Sequence, residues 1–97
     1  MKELAGRTAV VTGAGSGIGR ALACRFATEG MQVGLLDIDG DAARATAELI
    51  ADVAPATRTF TVAVDVSDDD AVARAADAVF AEFGAVHVLC LNAGVFL

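Results

Sequence analysis

Several residue types are scarce or missing in this chain of 97 residues, and the scarcity of cysteine and histidine argues against a metal site. There is no tryptophan or tyrosine, and there is only one proline and one histidine. Cysteine occurs twice, at Cys24 and Cys90, without the CxxC or other spacing of a metal site. We therefore predict free, buried thiols, and for His87, which lies in an apolar strand pattern, a structural or surface role.

Positive charge is also scarce, because 7 lysines and arginines face 13 aspartates and glutamates and the net charge is −6. An acidic chain without a basic cluster argues against nucleic acid and anionic membranes as partners. No uncharged apolar run approaches the ~20 residues of a membrane span. No apolar leader segment precedes the first strand pattern, so we expect a cytoplasmic protein.

The apolar residues, 56% of the chain, fall into alternating strand and helix patterns. Short apolar runs predict strands at residues 8–12, 32–37, 58–66 and 86–91. Helical periodicity predicts helices at 18–30, 42–53 and 68–83. The order β-α-β-α-β-α-β with nearly continuous apolar strands predicts an α/β fold, a doubly wound parallel sheet with helices on both faces. No domain boundary interrupts residues 1–97.

Local patterns make these predictions more specific. Ile18, Leu22 and Phe26 recur every four residues, and we expect them to form the buried stripe of the first helix. Asp41 and Ser67 are the predicted N-caps of the second and third helices. The fourth strand is expected to be buried on both faces.

The first strand breaks into glycines at positions 13, 15, 17 and 19 before the first helix begins. Glycines allow a sharp turn and a close approach of a ligand, and a helix N-terminus favours an anion. This predicts a phosphate cradle, although a tight turn without a ligand is the alternative. The spacing differs from the dinucleotide fingerprint G-x-G-x-x-G, because Ile18 occupies its third glycine position. A P-loop is excluded, because Lys2 is the only lysine.

Carboxylates follow the next two strands, and ligands of doubly wound sheets bind at the carboxyl ends of strands. Asp37 ends the second strand, eighteen residues after Gly19. It could accept both hydroxyls of an adenosine ribose and repel a 2′-phosphate, or it could be an ordinary turn aspartate. Asp65, followed by Val66, ends the third strand and could accept the adenine amino group, or it could be a solvated aspartate.

Three motifs in this order and spacing resemble the short-chain dehydrogenase/reductase family: Thr12-Gly13-Ala14-Gly15-Ser16-Gly17-Ile18-Gly19, Asp65-Val66 and Asn92-Ala93-Gly94. The resemblance covers the whole chain. It implies a Rossmann-type doubly wound parallel sheet with a nicotinamide dinucleotide bound across its carboxyl edge. The acidic Asp37, with no arginine from Gly13 to Gly19, implies NAD rather than NADP.

The resemblance also implies the residues that would contact the cofactor. Thr12 would tie the glycine loop to the turn after the fourth strand. The implied cofactor-binding residues are Gly13, Ser16, Gly17, Ile18 and Gly19 for the pyrophosphate and adenosine side, Asp37 and Ile38 for the ribose, Asp65 and Val66 for adenine, and Asn92, Ala93 and Gly94 for the ribose nearer the nicotinamide.

The chain departs from the family pattern in three ways. Leu91 replaces the first asparagine of the usual Asn-Asn-Ala-Gly, and His87 replaces an aspartate. The catalytic Tyr-x-x-x-Lys pair and serine of the family lie downstream, so no catalytic residue is assigned. We interpret residues 1–97 as a partial NAD(P)-binding Rossmann domain, truncated and inactive alone. The intact, homo-oligomeric oxidoreductase would transfer hydride between nicotinamide and a small alcohol or carbonyl substrate.

Two other functions fit parts of the pattern. A non-catalytic dinucleotide-binding module would use the same cradle, and continuation of the reading frame into a Tyr-x-x-x-Lys stretch would distinguish it from the enzyme. A methyltransferase also has a glycine-rich first loop, but Thr12-Gly13 and Asn92-Ala93-Gly94 argue against it. If the polypeptide ends at Leu97, we expect the fourth strand to be an apolar edge that promotes self-association.

Overall fold

The computed structural model describes residues 5–65 and 67–90, and in these ranges four strands alternate with three helices. The elements are β1 (Thr8–Thr12), α1 (Gly17–Thr28), β2 (Gln32–Asp37), α2 (Gly40–Val53), β3 (Thr59–Ala63), α3 (Asp69–Phe83) and β4 (Val88–Cys90). All strand pairs are parallel, in the order β3-β2-β1-β4. The predicted doubly wound α/β sheet is confirmed. The strand order reverses direction beside β1, which is where such folds bind ligands.

Two apolar cores cover the two faces of the sheet. Adjacent residues of β1 contribute to different cores, because the side chains of Val10 and Val11 point to opposite faces of the sheet. The first core joins the sheet to α1 and α2, and its members are Val11, Ala14, Ala23, Ala27, Val33, Leu35, Ala43 and Ile50. The second joins the sheet to α3, and its members are Val10, Leu36, Val64, Ala75 and Val79. Burial on both faces explains why β1 and β2 are nearly continuous apolar runs.

The predicted buried stripe of α1 is wrong by one position along the helix. Ile18 is 71% exposed, and the buried residues of α1 are Gly19, Ala23 and Ala27. Small side chains face the sheet because they let the helix lie close to it and to α2. The larger Leu22 and Phe26 are half-buried at the margin of this contact.

Both predicted N-caps are also wrong, because a neighbouring aspartate takes each role. Asp39 caps α2 and accepts two backbone N–H groups of its first turn, including that of Asp41 at 3.0 Å. Asp68 caps α3, while the Ser67 hydroxyl donates to Asp65 instead. Asp39 thus satisfies two amides, and Asp68 one, that the helices themselves leave unpaired.

The outer strands are shorter than predicted. Strand β3 ends at Ala63 rather than at 66, and β4 covers Val88–Cys90 rather than 86–91, with Leu91 outside the described residues. The expected burial of β4 on both faces is wrong, because Leu89 is 54% exposed. Among the described strands β4 lies at the edge of the sheet, so one side of its backbone has no strand partner there. Self-association through this edge stays a prediction.

His87 fastens the start of β4 to the start of β1. The Thr8 N–H donates to His87 Nδ1 at 3.0 Å, and the His87 N–H donates to the Thr8 carbonyl at 2.9 Å. Thr8 is buried, so its amide would lack a partner without the imidazole. This contact supports the predicted structural role of His87.

Replacing His87 with alanine is expected to lower the free energy of unfolding by about 1 kcal/mol, because one buried amide loses its acceptor. His87→Asp, which restores the usual residue of the family and offers a carboxylate oxygen to the same amide, should keep most of the stability. Urea denaturation of the three proteins measures the difference. An equal loss in both variants would show that the imidazole acts by packing and not as an acceptor.

In the part of the chain that the structure describes, no helix is long and apolar enough to cross a membrane.

Candidate functional site

The glycine loop lies beside the carboxyl end of β2. The Ala14 N–H donates to the Leu36 carbonyl at 3.1 Å, so the loop continues the pairing of β1 with β2 for two residues past Thr12. The structure thereby brings the predicted loop residues next to Asp37. Val66 and the turn Asn92-Ala93-Gly94, also predicted for the site, lie outside the described residues.

Three glycines of this loop are required by its geometry: Gly17, which has a φ of +54°, Gly13 and Gly15. Gly13 has a φ of +62°, in the left-handed region that other residues rarely adopt. A Cβ on Gly15 would lie 2.5 Å from the Ala42 Cβ and 2.8 Å from Asp37 Oδ2. At Gly15 the loop therefore lies closer to α2 than any side chain would allow. Gly15 was not among the predicted binding residues, because the motif spacing does not include it.

The N-terminus of α1 differs from those of the other two helices. Ser16 is its N-cap residue in an extended conformation, and its side chain makes no capping hydrogen bond within the described ranges. The first turn contains no acidic residue, whereas α2 and α3 carry both an aspartate cap and acidic first turns. Unpaired amides and the positive end of the helix dipole favour an anion at this position.

Asp37 links the loop to the start of α2. Its Oδ2 accepts the Gly15 N–H at 2.8 Å, and its Oδ1 accepts the Asp39 N–H at 2.9 Å. Each carboxylate oxygen can accept a second hydrogen bond, so capacity for the hydroxyls of a ligand remains. Ile38, the next predicted residue, is 71% exposed at the same end of the sheet. Its apolar side chain is available to a flat apolar group.

Asp65 lies beyond the end of β3, farther from the loop than Asp37, because β2 separates β3 from β1. Its Oδ1 accepts the Ser67 hydroxyl at 2.7 Å and the Ser67 N–H at 2.9 Å. These hydrogen bonds, that of the hydroxyl first, lower the pKa of the Asp65 carboxyl. Asp65 is therefore ionised at neutral pH and presents an acceptor at the far end of the candidate site.

Thr12 joins the loop to the fourth strand. Its hydroxyl donates to the carbonyl of Cys90, the last residue of β4, at 3.3 Å. The predicted tie of Thr12 to the turn after β4 stays a prediction, because that turn lies outside the described residues. Cys24 and Cys90 are free thiols as predicted, but both are half-buried rather than buried. Partial burial raises the pKa of the Cys90 thiol, so it is not activated as a nucleophile.

Two further residues contact the loop and were missed by the sequence interpretation. Arg20 donates to the Gly15 carbonyl at 2.6 Å, and the Thr46 hydroxyl donates to the Ala14 carbonyl at 2.7 Å. One feature of the sequence could have indicated Thr46: it is a polar residue at a helical position whose neighbours on the same face, Ala43 and Ile50, are apolar and buried. No group of three or more metal-ligating side chains occurs among residues 5–65 and 67–90.

The sequence model of the short chain dehydrogenase family matches residues 7–96. The chain belongs to the short-chain dehydrogenase family. A relative in this family, a 1-deoxy-11-beta-hydroxypentalenate dehydrogenase from Streptomyces exfoliatus, is 50% identical over 90 residues, which are 92% of this chain and 32% of the relative.

Solved structures of short-chain dehydrogenases share the fold. A carveol dehydrogenase from Mycobacterium avium, in complex with NAD, has a TM-score of 0.86 at 31% identity over 98% of this chain and 38% of its own. A metagenomic short-chain oxidoreductase in complex with NADP has a TM-score of 0.79 at 39% identity over 88% of this chain and 38% of its own. The Rossmann-type fold implied by the resemblance is confirmed. This chain spans about a third of the length of the curated relatives that it matches.

Proposed function

We propose that residues 1–97 form the dinucleotide-binding half of an NAD-dependent short-chain dehydrogenase. The intact enzyme would transfer hydride between nicotinamide and a small alcohol or carbonyl substrate. The observation that carries the proposal is the contact between the glycine loop and the Asp37 carboxylate at the end of the adjacent strand. The helix that follows the loop has no side-chain cap from the described part of the chain. Solved relatives in complex with NAD and NADP support the choice of a nicotinamide dinucleotide.

The pyrophosphate would lie over the start of α1. Backbone N–H groups there have no side-chain cap among the described residues, and the helix dipole is favourable. A Cβ at Gly17 would meet no atom of residues 5–65 and 67–90 within 4 Å, so these residues leave space beside the first turn. We assign the pyrophosphate and adenosine side to the five predicted residues Gly13, Ser16, Gly17, Ile18 and Gly19.

The adenosine ribose would lie between the loop and Asp37, with Ile38 beside it. The carboxylate accepts hydroxyl protons of this ribose and repels a phosphate in place of its 2′-hydroxyl. The charges around the end of β2 thus favour NAD over NADP.

The remaining assignments follow the strand ends. Asp65 and Val66 would contact the adenine, and Asn92, Ala93 and Gly94 would contact the ribose nearer the nicotinamide. The nicotinamide supplies or takes the hydride when the cofactor is bound. No residue of this chain is assigned a catalytic role. The homo-oligomeric state, the cytoplasmic location and the substrate of the intact enzyme also stay predictions.

Calorimetric titration of the chain with NADH and with NADPH tests the proposal. NADH is expected to bind at least about tenfold more tightly, which corresponds to ~1.4 kcal/mol. Equal affinities, or tighter binding of NADPH, would contradict the role of Asp37. An absence of heat with both cofactors, in a sample that circular dichroism shows to be folded, would contradict the dinucleotide site itself.

A further inference from the structure

Side chains from outside the glycine loop hold two of its consecutive carbonyl groups. The Thr46 hydroxyl donates to the Ala14 carbonyl at 2.7 Å, and Arg20 Nη2 donates to the Gly15 carbonyl at 2.6 Å. Thr46 is fully buried and Arg20 is half-buried. The 2.6 Å distance from Arg20 is short for an N–H···O hydrogen bond, and the 2.7 Å distance from Thr46 is typical of an O–H···O hydrogen bond.

The two side chains also bind each other. Arg20 Nε donates to the Thr46 hydroxyl at 2.9 Å, which leaves the hydroxyl proton for the Ala14 carbonyl. A second, longer contact runs from Arg20 Nη2 to the Ala42 carbonyl at 3.4 Å. One guanidinium therefore connects the first turn of α1, the glycine loop and α2.

These contacts fix the orientation of two successive peptide planes. The plane between Ala14 and Gly15 is held at its carbonyl by Thr46 and at its N–H by Asp37. The next plane is held at the Gly15 carbonyl by Arg20. In a planar trans peptide the N–H points opposite to the carbonyl, so the Ser16 N–H is directed away from Arg20.

We propose that Arg20 and Thr46 are positioning residues that hold the glycine loop in the shape that binds the dinucleotide. The inference rests on the proposed function, because it concerns the affinity of the same site. A loop already ordered before binding loses less conformational freedom when the cofactor binds, and this raises affinity. In the proposed site neither side chain contacts the cofactor. Both act through the backbone groups that do.

Substitutions at Thr46 separate the hydroxyl from its packing. Thr46→Val keeps the shape but removes the donor to Ala14, and we expect it to weaken NADH binding by about tenfold. Thr46→Ser keeps the hydroxyl and should bind NADH within about threefold of the unchanged chain. Thr28→Val, on the exposed end of α1, removes a hydroxyl far from the loop and is the matched control.

Arg20→Gln provides a second, independent test. It shortens the side chain and removes the charge, and we again expect a loss of about tenfold in NADH affinity. Arg25→Gln makes the same change five residues later on the same helix, at an exposed ion pair with Glu29. Its dissociation constant for NADH should not change.

The dissociation constants are measured by calorimetry well below the unfolding midpoint of every variant, beside amide hydrogen exchange at Gly15 and Ser16. A merely structural role would lower the unfolding midpoint but leave the NADH affinity and the amide exchange rates unchanged in the folded protein.

Unchanged affinity in folded Thr46→Val and Arg20→Gln would overturn the inference and leave the proposed function intact. If Thr46→Val does not fold, Arg20→Gln alone decides. If the unchanged chain binds no NADH, the proposed function fails and the inference fails with it.

Discussion

Gly15→Ala is expected to abolish measurable NADH binding and to lower the free energy of unfolding by about 3 kcal/mol. The new Cβ would lie 2.5 Å from the Ala42 Cβ and 2.9 Å from the Ala42 carbonyl carbon. Both atoms belong to α2, so neither can rotate out of the way. The loop must move instead, and it then loses the hydrogen bond from its Gly15 N–H to Asp37.

Two variants control for this result. Gly84→Ala introduces a methyl group at a φ of +82°, far from the loop and with no described atom within 4 Å, and should lower stability without affecting NADH binding. Ala42→Gly in the Gly15→Ala background removes one of the clashing atoms and should restore part of the stability and part of the NADH affinity. Urea denaturation measures the stability, and titration with NADH measures the affinity. If Gly15→Ala binds NADH like the unchanged chain, the close contact between loop and α2 is not needed for binding.

Asp37→Asn is expected to remove most of the preference for NADH over NADPH. The amide keeps an oxygen that can accept the Gly15 N–H but carries no charge to repel a 2′-phosphate. NADH should bind about tenfold more weakly, because a hydrogen bond to a charged acceptor becomes one to a neutral acceptor. The two dissociation constants should become nearly equal.

Asp37→Ala removes both the negative charge of this side chain and its hydrogen-bond acceptor for the Gly15 N–H. The preference between the cofactors should narrow in the same way, but both should bind more weakly than to Asp37→Asn, because the loop also loses its acceptor. Asp52→Asn, at the other end of α2, makes the same change in net charge and controls for nonspecific electrostatics. An undiminished preference for NADH in Asp37→Asn would show that the discrimination arises elsewhere.

The positions of the loop and Asp37 could be predicted because they depend on connectivity. Apolar runs joined by helices make parallel strands, and parallel strands place Gly13 and Asp37 at the same edge of the sheet. Packing details were not predictable in this way. The large residues of α1 suggested a stripe through Ile18, but alanines and a glycine face the sheet because they allow closer contact.

The missed contacts have a different cause. Thr46 lies 26 residues from Arg20, and no local pattern indicates that α2 packs against the start of α1 with these two side chains opposed. Among closely spaced aspartates, the choice of Asp39 over Asp41 as the cap depends on where the backbone leaves its extended conformation. Only the folded backbone supplies this information.

The central claim is that the glycine loop and Asp37 together form a dinucleotide site. The most direct test is a titration of the ¹⁵N-labelled chain with NADH, followed residue by residue through the amide resonances. The account predicts that the largest shifts fall on residues 13–19 and on Asp37 and Ile38. Saturating NADH that leaves these resonances in place, or that moves mainly those of β3 and α3, would contradict it.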